Sequence, residues 1–161
     1  MVKRTYTIPQ LEKIANDIRK DIIKMLEHAG SGHSAGPLDL ADIFTALYFD
    51  ILKSDPKKPH WQERDLVLLS NGHCAPVQYV AMAHAGYFDK KELMTLRQYG
   101  SRLQGHPERK SLPGIETTSG PLGEGLSQAC GMSLAMRMDG EQNKRWIYCV
   151  MGDGELNEGN I

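Results

Sequence analysis

The chain has 161 residues, with 19 Lys and Arg against 20 Asp and Glu, and 40% of it is hydrophobic. That length suits one domain with a real core, and the balanced charge removes the electrostatic case for nucleic acid or an anionic membrane as partner. No apolar run approaches the length of a membrane span, and the polar start Met1-Val-Lys-Arg-Thr-Tyr6 is not a signal peptide. The 3 cysteines form no Cys-x-x-Cys pair, so reduced, mostly buried thiols in a cytoplasmic protein are expected.

Thr7 and Pro9 mark a helix start. Leu11, Ile14, Ala15, Ile18, Ile22, Met25, Leu26 and Ala29 then follow a helical stripe that Gly30 ends. Gly30 to Pro37 is rich in Gly and Pro and predicts irregular chain. A second helix is expected from about Leu38 to Ile51, with Leu40, Ile43, Phe44 and Leu47 inward, followed by a polar loop from Lys53 to Glu63. Asp65 to Ser70 reads as a buried strand, and Asn71-Gly72-His73 turns it into a helix from about Ala75 to Ala85. Asp89 predicts the cap of another helix through about Arg97. Tyr99 to Gly125 is loop-rich, Leu126 to Met138 is helical, and Lys144 to Met151 is the second clear strand. This order predicts an α/β fold with a parallel sheet flanked by helices. Two clear strands are few for a complete sheet of that kind, so the chain is expected to be an incomplete section, short at its C-terminus.

The second strand breaks into Gly152-Asp153-Gly154 at its carboxyl end, the edge where open α/β sheets bind ligands. Glycines let backbone approach a bound group, and a carboxylate between them can hold a hard cation such as Mg²⁺, which takes oxygen ligands from carboxylates and substrate phosphates. An Asp-Gly pair also marks ordinary hairpin turns. A helix start after the turn would favour an anion there. His33, His73 and His106 each follow a glycine in a loop, which can present an imidazole at a cleft to bond oxyanions or polarise carbonyl and hydroxyl groups. Taken singly, each is also an ordinary solvated loop histidine. Zinc is disfavoured, because no Cys/His pair has structural-site spacing. His28 and His84 fall near helix ends and read as caps or core-edge residues, and His60 lies in the polar loop. Thr117 to Gly125 is a glycine-rich loop leading into a helix, and its Pro121 and Leu122 argue for a rigid loop exposing backbone to a ligand.

In sequence order, Gly32-His-Ser-Ala-Gly-Pro-Leu38, Asp65-Leu-Val-Leu-Leu-Ser-Asn-Gly-His73, Gly105-His-Pro-Glu108, Gly114-Ile-Glu-Thr-Thr-Ser-Gly-Pro-Leu-Gly-Glu-Gly125 and Gly152-Asp-Gly-Glu-Leu-Asn-Glu-Gly159 resemble the N-terminal, thiamine-diphosphate-binding section of the transketolases. The resemblance runs over essentially the whole chain, residues 1–161. The thiamine-dependent deoxyxylulose-phosphate synthases are the nearest alternative, and the His-Pro-Glu and Ser-Asn-Gly-His segments look like transketolase instead.

The resemblance implies thiamine diphosphate and Mg²⁺ (or Ca²⁺) as cofactors, and transfer of a two-carbon ketol unit from a ketose phosphate to an aldose phosphate, in the pentose phosphate pathway. It implies that Asp153 is the metal ligand, that Gly154 and His73 meet the diphosphate, and that Gly120 and Leu122 line the cofactor. His33 and His106 would face the sugar substrate, and Glu158 would join a carboxylate network at a subunit interface. It also implies that the pyrimidine-binding domain and the rest of the metal site come from a further C-terminal section or a partner subunit, in a dimer or heterotetramer. The alternative is a truncated, non-catalytic fragment.

Overall fold

The structure is a computed structural model that describes residues 6–142 and 144–161. Most of the polar start read above, residues 1–5, lies outside the described residues. Helix α1 spans Ile8–Ala29. The Thr7 amide donates to Gln10 Oε1 at 2.8 Å, satisfying a donor that the first turn leaves free. Gly30 closes the helix at φ 64°, its amide donating to the Leu26 and Glu27 carbonyls. The predicted stripe is the buried one: Ala15, Ile18, Ile22 and Met25 enter the core, and Ile14, Leu26 and Ala29 pack at its margin.

The next segment departs from expectation. Helix α2 covers Ala35–Asp39 and α3 covers Ala41–Ala46, and a π-helical turn then runs over Leu47–Ile51. Regular structure therefore begins inside the stretch that its Gly and Pro content marked as irregular. Pro37 sits in the first turn of α2, where a missing amide costs nothing. Gly36 is there for space, because a Cβ on it would lie 2.5 Å from Cys74 Sγ. Leu40, Phe44 and Leu47 are buried as expected and Ala41 and Thr45 join them, while Ile43 is 50% exposed where an inward position was expected.

Strands β1, Leu66–Leu69, and β2, Ile147–Val150, pair in parallel with Leu66 opposite Ile147 and Leu69 opposite Val150. Helices cover both faces. Leu66 and Leu68 meet Ala129 of α5, Glu124–Met138, while Leu69 joins the larger core with α1, α3 and α4, Ala75–Ala85. Residues Ala75 to Ala83 of α4 are all buried, which explains why this helix has no polar face to read from the sequence. The helix expected after Asp89 is a 3₁₀ helix, Lys90–Thr95, and stops short of Arg97. Asp89 does cap it, accepting from the Lys91 amide at 2.9 Å, but Arg97 takes φ 61°, which no helix continues through. Of the cysteines, Cys74 is buried, Cys149 half-buried and Cys130 exposed, and all are free.

A buried carboxylate fastens each end of the strand pair. At the amino end, Asp65 accepts from the Lys53 amide at 2.8 Å and the Trp146 amide at 2.7 Å. At the carboxyl end the equivalent group is Glu155, and that is the end where the histidine loops gather.

Candidate functional site

β1 ends at Leu69, and Ser70, Asn71 and the 3₁₀ turn Gly72–Cys74 carry the chain off the carboxyl edge of the sheet. The turn places His73 against His33, which projects from the loop between α1 and α2. Their ring centroids are 5.1 Å apart, and the His106 ring stands 6.4 Å from that of His33. Three loops far apart in sequence thus deliver their histidines to one place. Gly120 belongs to the same place, since a Cβ there would lie 3.8 Å from the His106 ring. Gly72 backs onto this loop so closely that a Cβ would fall 2.7 Å from Ser119 Oγ and 2.9 Å from the Gly120 amide nitrogen. Leu122, in the same loop, is 37% exposed, an apolar side chain offered outward.

His33 and His106 are exposed and His73 is half-buried. Partial burial, then the neighbouring His33, His73 and Arg97, hold His106 below the ordinary histidine value. It therefore carries a neutral ring at neutral pH, able to donate at one nitrogen and accept at the other. The unfolded chain lacks those neighbours, so it binds the His106 proton more readily than the folded chain does. Stability should consequently fall as pH drops through the unfolded histidine value, about 6.5. Urea unfolding at pH 7.5 and 5.5 checks this: wild type should lose more stability on acidification than His106→Gln. Equal losses would contradict it.

Beyond β2, Gly152-Asp153-Gly154 enters a 3₁₀ helix, Asp153–Asn157. This is too short to act as the dipolar helix start that the sequence suggested. Asp153 and Gly154 are exposed, and a Cβ on Gly154 would meet open space. The turn is joined to the rest by Asn71, 3.9 Å from a Cβ position on Gly152, and above all by Glu155. Glu155 is 1% exposed. Its Oε1 accepts from Ser70 Oγ at 2.5 Å and from the Gly123 amide at 2.8 Å, and its Oε2 accepts from the Gly152 amide at 2.8 Å. Ser70 Oγ in turn accepts from the Gly125 amide at 3.1 Å. The glycine loop therefore does not offer its Gly123 and Gly125 amides to a ligand, as a rigid exposed loop would. They are committed inward.

Glu158 lies beside Gly123, its Cβ 3.0 Å from where a Gly123 Cβ would sit, and it is exposed. Glu155 is the residue that reading the sequence missed. Two of its partners, Ser70 and Gly123, lie 85 and 32 positions away, and only the Gly152 amide is local, so the sequence shows at most the turn and not the burial. Among the other histidines, His84 does sit at the core edge, bonded to Asp21 at 2.8 Å across α4 and α1. Among the described residues no group of three His, Cys, Asp or Glu is arranged to hold a metal, so Asp153 stands as a single carboxylate. Two buried polar atoms beside the histidines, Asn71 Oδ1 and Ser119 Oγ, have no hydrogen-bond partner among the described residues.

The family model for the transketolase thiamine diphosphate binding domain matches residues 11–161. The chain is 43% identical over 151 residues to the 6-deoxy-6-sulfo-D-fructose transketolase subunit SqwG of a Clostridium species, covering 94% of this chain and 54% of that protein. It is 40% identical over 154 residues to one subunit of the apulose-4-phosphate transketolase of Phocaeicola vulgatus, covering 96% of this chain and 54% of that one. It superposes on the transketolase of Leishmania mexicana with TM-score 0.87 at 36% identity, over 92% of this chain and 24% of that chain. The chain thus spans about half the length of the similar subunits and about a quarter of the solved transketolase. With the match extending from Leu11 to Ile161, the chain belongs to the transketolase family, in its thiamine diphosphate binding domain.

Proposed function

We propose that residues 1–161 form the N-terminal part of the diphosphate-binding domain of a thiamine-diphosphate-dependent transketolase, which passes a two-carbon ketol unit from a ketose phosphate to an aldose phosphate. The observation that carries this reading is the convergence of His33, His73 and His106 beside Gly120 at the carboxyl edge of the sheet. The residues present fit the cofactor. Asn71 Oδ1 and Ser119 Oγ are buried polar atoms in want of a partner, and Gly154 leaves its surroundings open to a bound group.

In this reading Asp153 supplies one carboxylate to Mg²⁺ or Ca²⁺, Gly154 lets the backbone approach the diphosphate, and His73 donates to a diphosphate oxygen. Gly120 and Leu122 line the thiamine. When bound, the cofactor supplies the carbanion chemistry that breaks and makes the carbon–carbon bond. His33 and His106 orient the sugar at its reacting end and bond its carbonyl and hydroxyl oxygens. Glu158, exposed beside the glycine loop, faces a neighbouring section at a subunit interface. The pyrimidine-binding domain and the remaining metal ligands come from a further section of polypeptide or a partner subunit. The similar proteins named as subunits support that division, and the assembly is a dimer or heterotetramer. The names of those relatives, a sulfo-fructose and a sugar phosphate, favour an anion-bearing sugar as substrate. The setting is cytoplasmic sugar-phosphate metabolism, as in the pentose phosphate pathway. Among the described residues no helix is long and apolar enough to cross a membrane.

The test is activity with and without completion. The purified 161-residue chain, given thiamine diphosphate and Mg²⁺, should transfer no ketol unit, whereas the complete enzyme containing it should. Transfer by this chain alone would overturn the division of the site, and its absence from the complete enzyme would overturn the function.

A further inference from the structure

We propose that Glu155 is the positioning residue of the cofactor site: its buried carboxylate fixes the Gly152–Gly154 turn, the Gly120–Gly125 loop and the end of β1 relative to one another, and cofactor affinity depends on it. This rests on the function proposed above.

Each segment that Glu155 grips carries a different part of the site. The Gly152 amide that donates to Oε2 immediately precedes Asp153. The Gly123 amide that donates to Oε1 immediately follows Leu122 and lies three residues beyond Gly120. Ser70, the third donor, leads directly into Asn71-Gly72-His73. The group proposed for the metal, those lining the thiamine and the one meeting the diphosphate therefore share a single buried anchor. Asp153, Leu122 and His73 themselves have little to hold them, since the first two are exposed and the third is half-buried.

The choice of a carboxylate is itself informative. Burying a charge is costly unless donors surround it. Among the described residues Glu155 has no cationic partner and is held by neutral donors only. Its negative charge is felt by its neighbours: burial first and Glu155 second push the Cys74 and Cys149 thiols up to about 11. What the carboxylate offers is two oxygens that both accept. Glutamine has the same shape but one accepting oxygen and one donating NH₂. Whichever way the amide turns, the NH₂ faces a backbone N–H: that of Gly152 in one orientation, that of Gly123 in the other. One loop is released in either case. A reacting constellation is sensitive to misplacements of about 1 Å, so release of either loop separates Asp153 from the groups across from it.

The experiment uses the complete enzyme and compares wild type with Glu155→Gln. Three quantities are read: thiamine diphosphate affinity by calorimetry at saturating Mg²⁺, hydrogen exchange at the Gly123 and Gly152 amides, and the split of kcat from the sugar KM at saturating cofactor. We expect Glu155→Gln to weaken cofactor binding roughly ten- to a hundredfold, to speed exchange at one or both amides, and to leave kcat and sugar KM near wild type once cofactor is saturating. Ser70→Ala removes one donor and keeps the carboxylate with its two backbone donors. It should fold even if the glutamine variant does not, and should weaken cofactor binding in the same direction by less. A wild type that binds cofactor, with affinity and amide protection unchanged in the variants, would overturn this inference alone, as would lower thermal stability with unchanged affinity. A wild type that binds no thiamine diphosphate would overturn the functional reading and this inference together.

Discussion

Asp153→Ala in the complete enzyme should abolish metal-dependent thiamine diphosphate binding while leaving folding stability almost untouched. The structure separates the two effects. The Asp153 side chain is exposed and makes no hydrogen bond or ion pair among the described residues, so its loss should change stability by no more than about 0.5 kcal/mol. A methyl group, however, cannot replace an oxygen on Mg²⁺, which tolerates little departure from octahedral coordination. Removing groups that merely support a metal ligand costs about 10- to 100-fold in affinity, and removing a ligand itself should cost more. Calorimetric titration with thiamine diphosphate, with and without Mg²⁺, reads the affinity, and urea unfolding reads the stability. Unchanged cofactor affinity would remove Asp153 from the metal site. A large loss of stability would mean that the turn is held by more than Glu155.

The second large effect is a contrast among the histidines. His73→Ala in the complete enzyme should weaken cofactor binding by roughly ten- to a hundredfold, the worth of one charge-assisted hydrogen bond. His33→Ala and His106→Ala should damage turnover or sugar KM more than cofactor affinity. The geometry adds a qualification that the sequence could not. With His33 only 5.1 Å from His73, the two positions are coupled, and the double variant should depart from additivity. His73 and His106 each neighbour His33, so His33→Ala should also raise the His106 proton affinity by removing one of the charges that depress it. Steady-state kinetics and calorimetry on the single variants and the His33/His73 pair test the assignment. Equal effects of all three on cofactor, with sugar kinetics intact, would contradict it. No effect from any would leave them as solvated loop residues.

What was legible in the sequence follows from where the information is local. The stripe of α1 and its Gly30 end, the two buried strands and the Asn71-Gly72-His73 exit all rest on patterns within a few residues, and all are present. The glycine-histidine pairs singled out three imidazoles, but only the fold could show that His73 and His106 both lie near His33. The errors have the opposite cause. Gly36 looked like a helix breaker, when it is small because Cys74 presses on it from the turn that precedes α4. Ile43 fits the helical stripe read from the sequence, but the core takes Ala41 and Thr45 and leaves Ile43 exposed. The Thr117 to Gly125 loop was expected to expose backbone to a ligand, but its Gly123 and Gly125 amides are claimed by Glu155 and Ser70 from distant parts of the chain. The sequence alone assigns Glu155 no role. Only its burial shows that it ties the site together.

The central claim is that the turn around Asp153 and the three histidine loops form one thiamine diphosphate site. A crystal structure of the complete enzyme soaked with thiamine diphosphate and Mn²⁺ in place of Mg²⁺, located by its anomalous signal, tests it most directly. The account predicts the metal within coordination distance of an Asp153 carboxylate oxygen, about 2.0–2.2 Å, with the diphosphate in hydrogen-bond reach of His73 and the thiamine against Gly120 and Leu122. Metal and diphosphate bound away from Asp153 and His73 would contradict it.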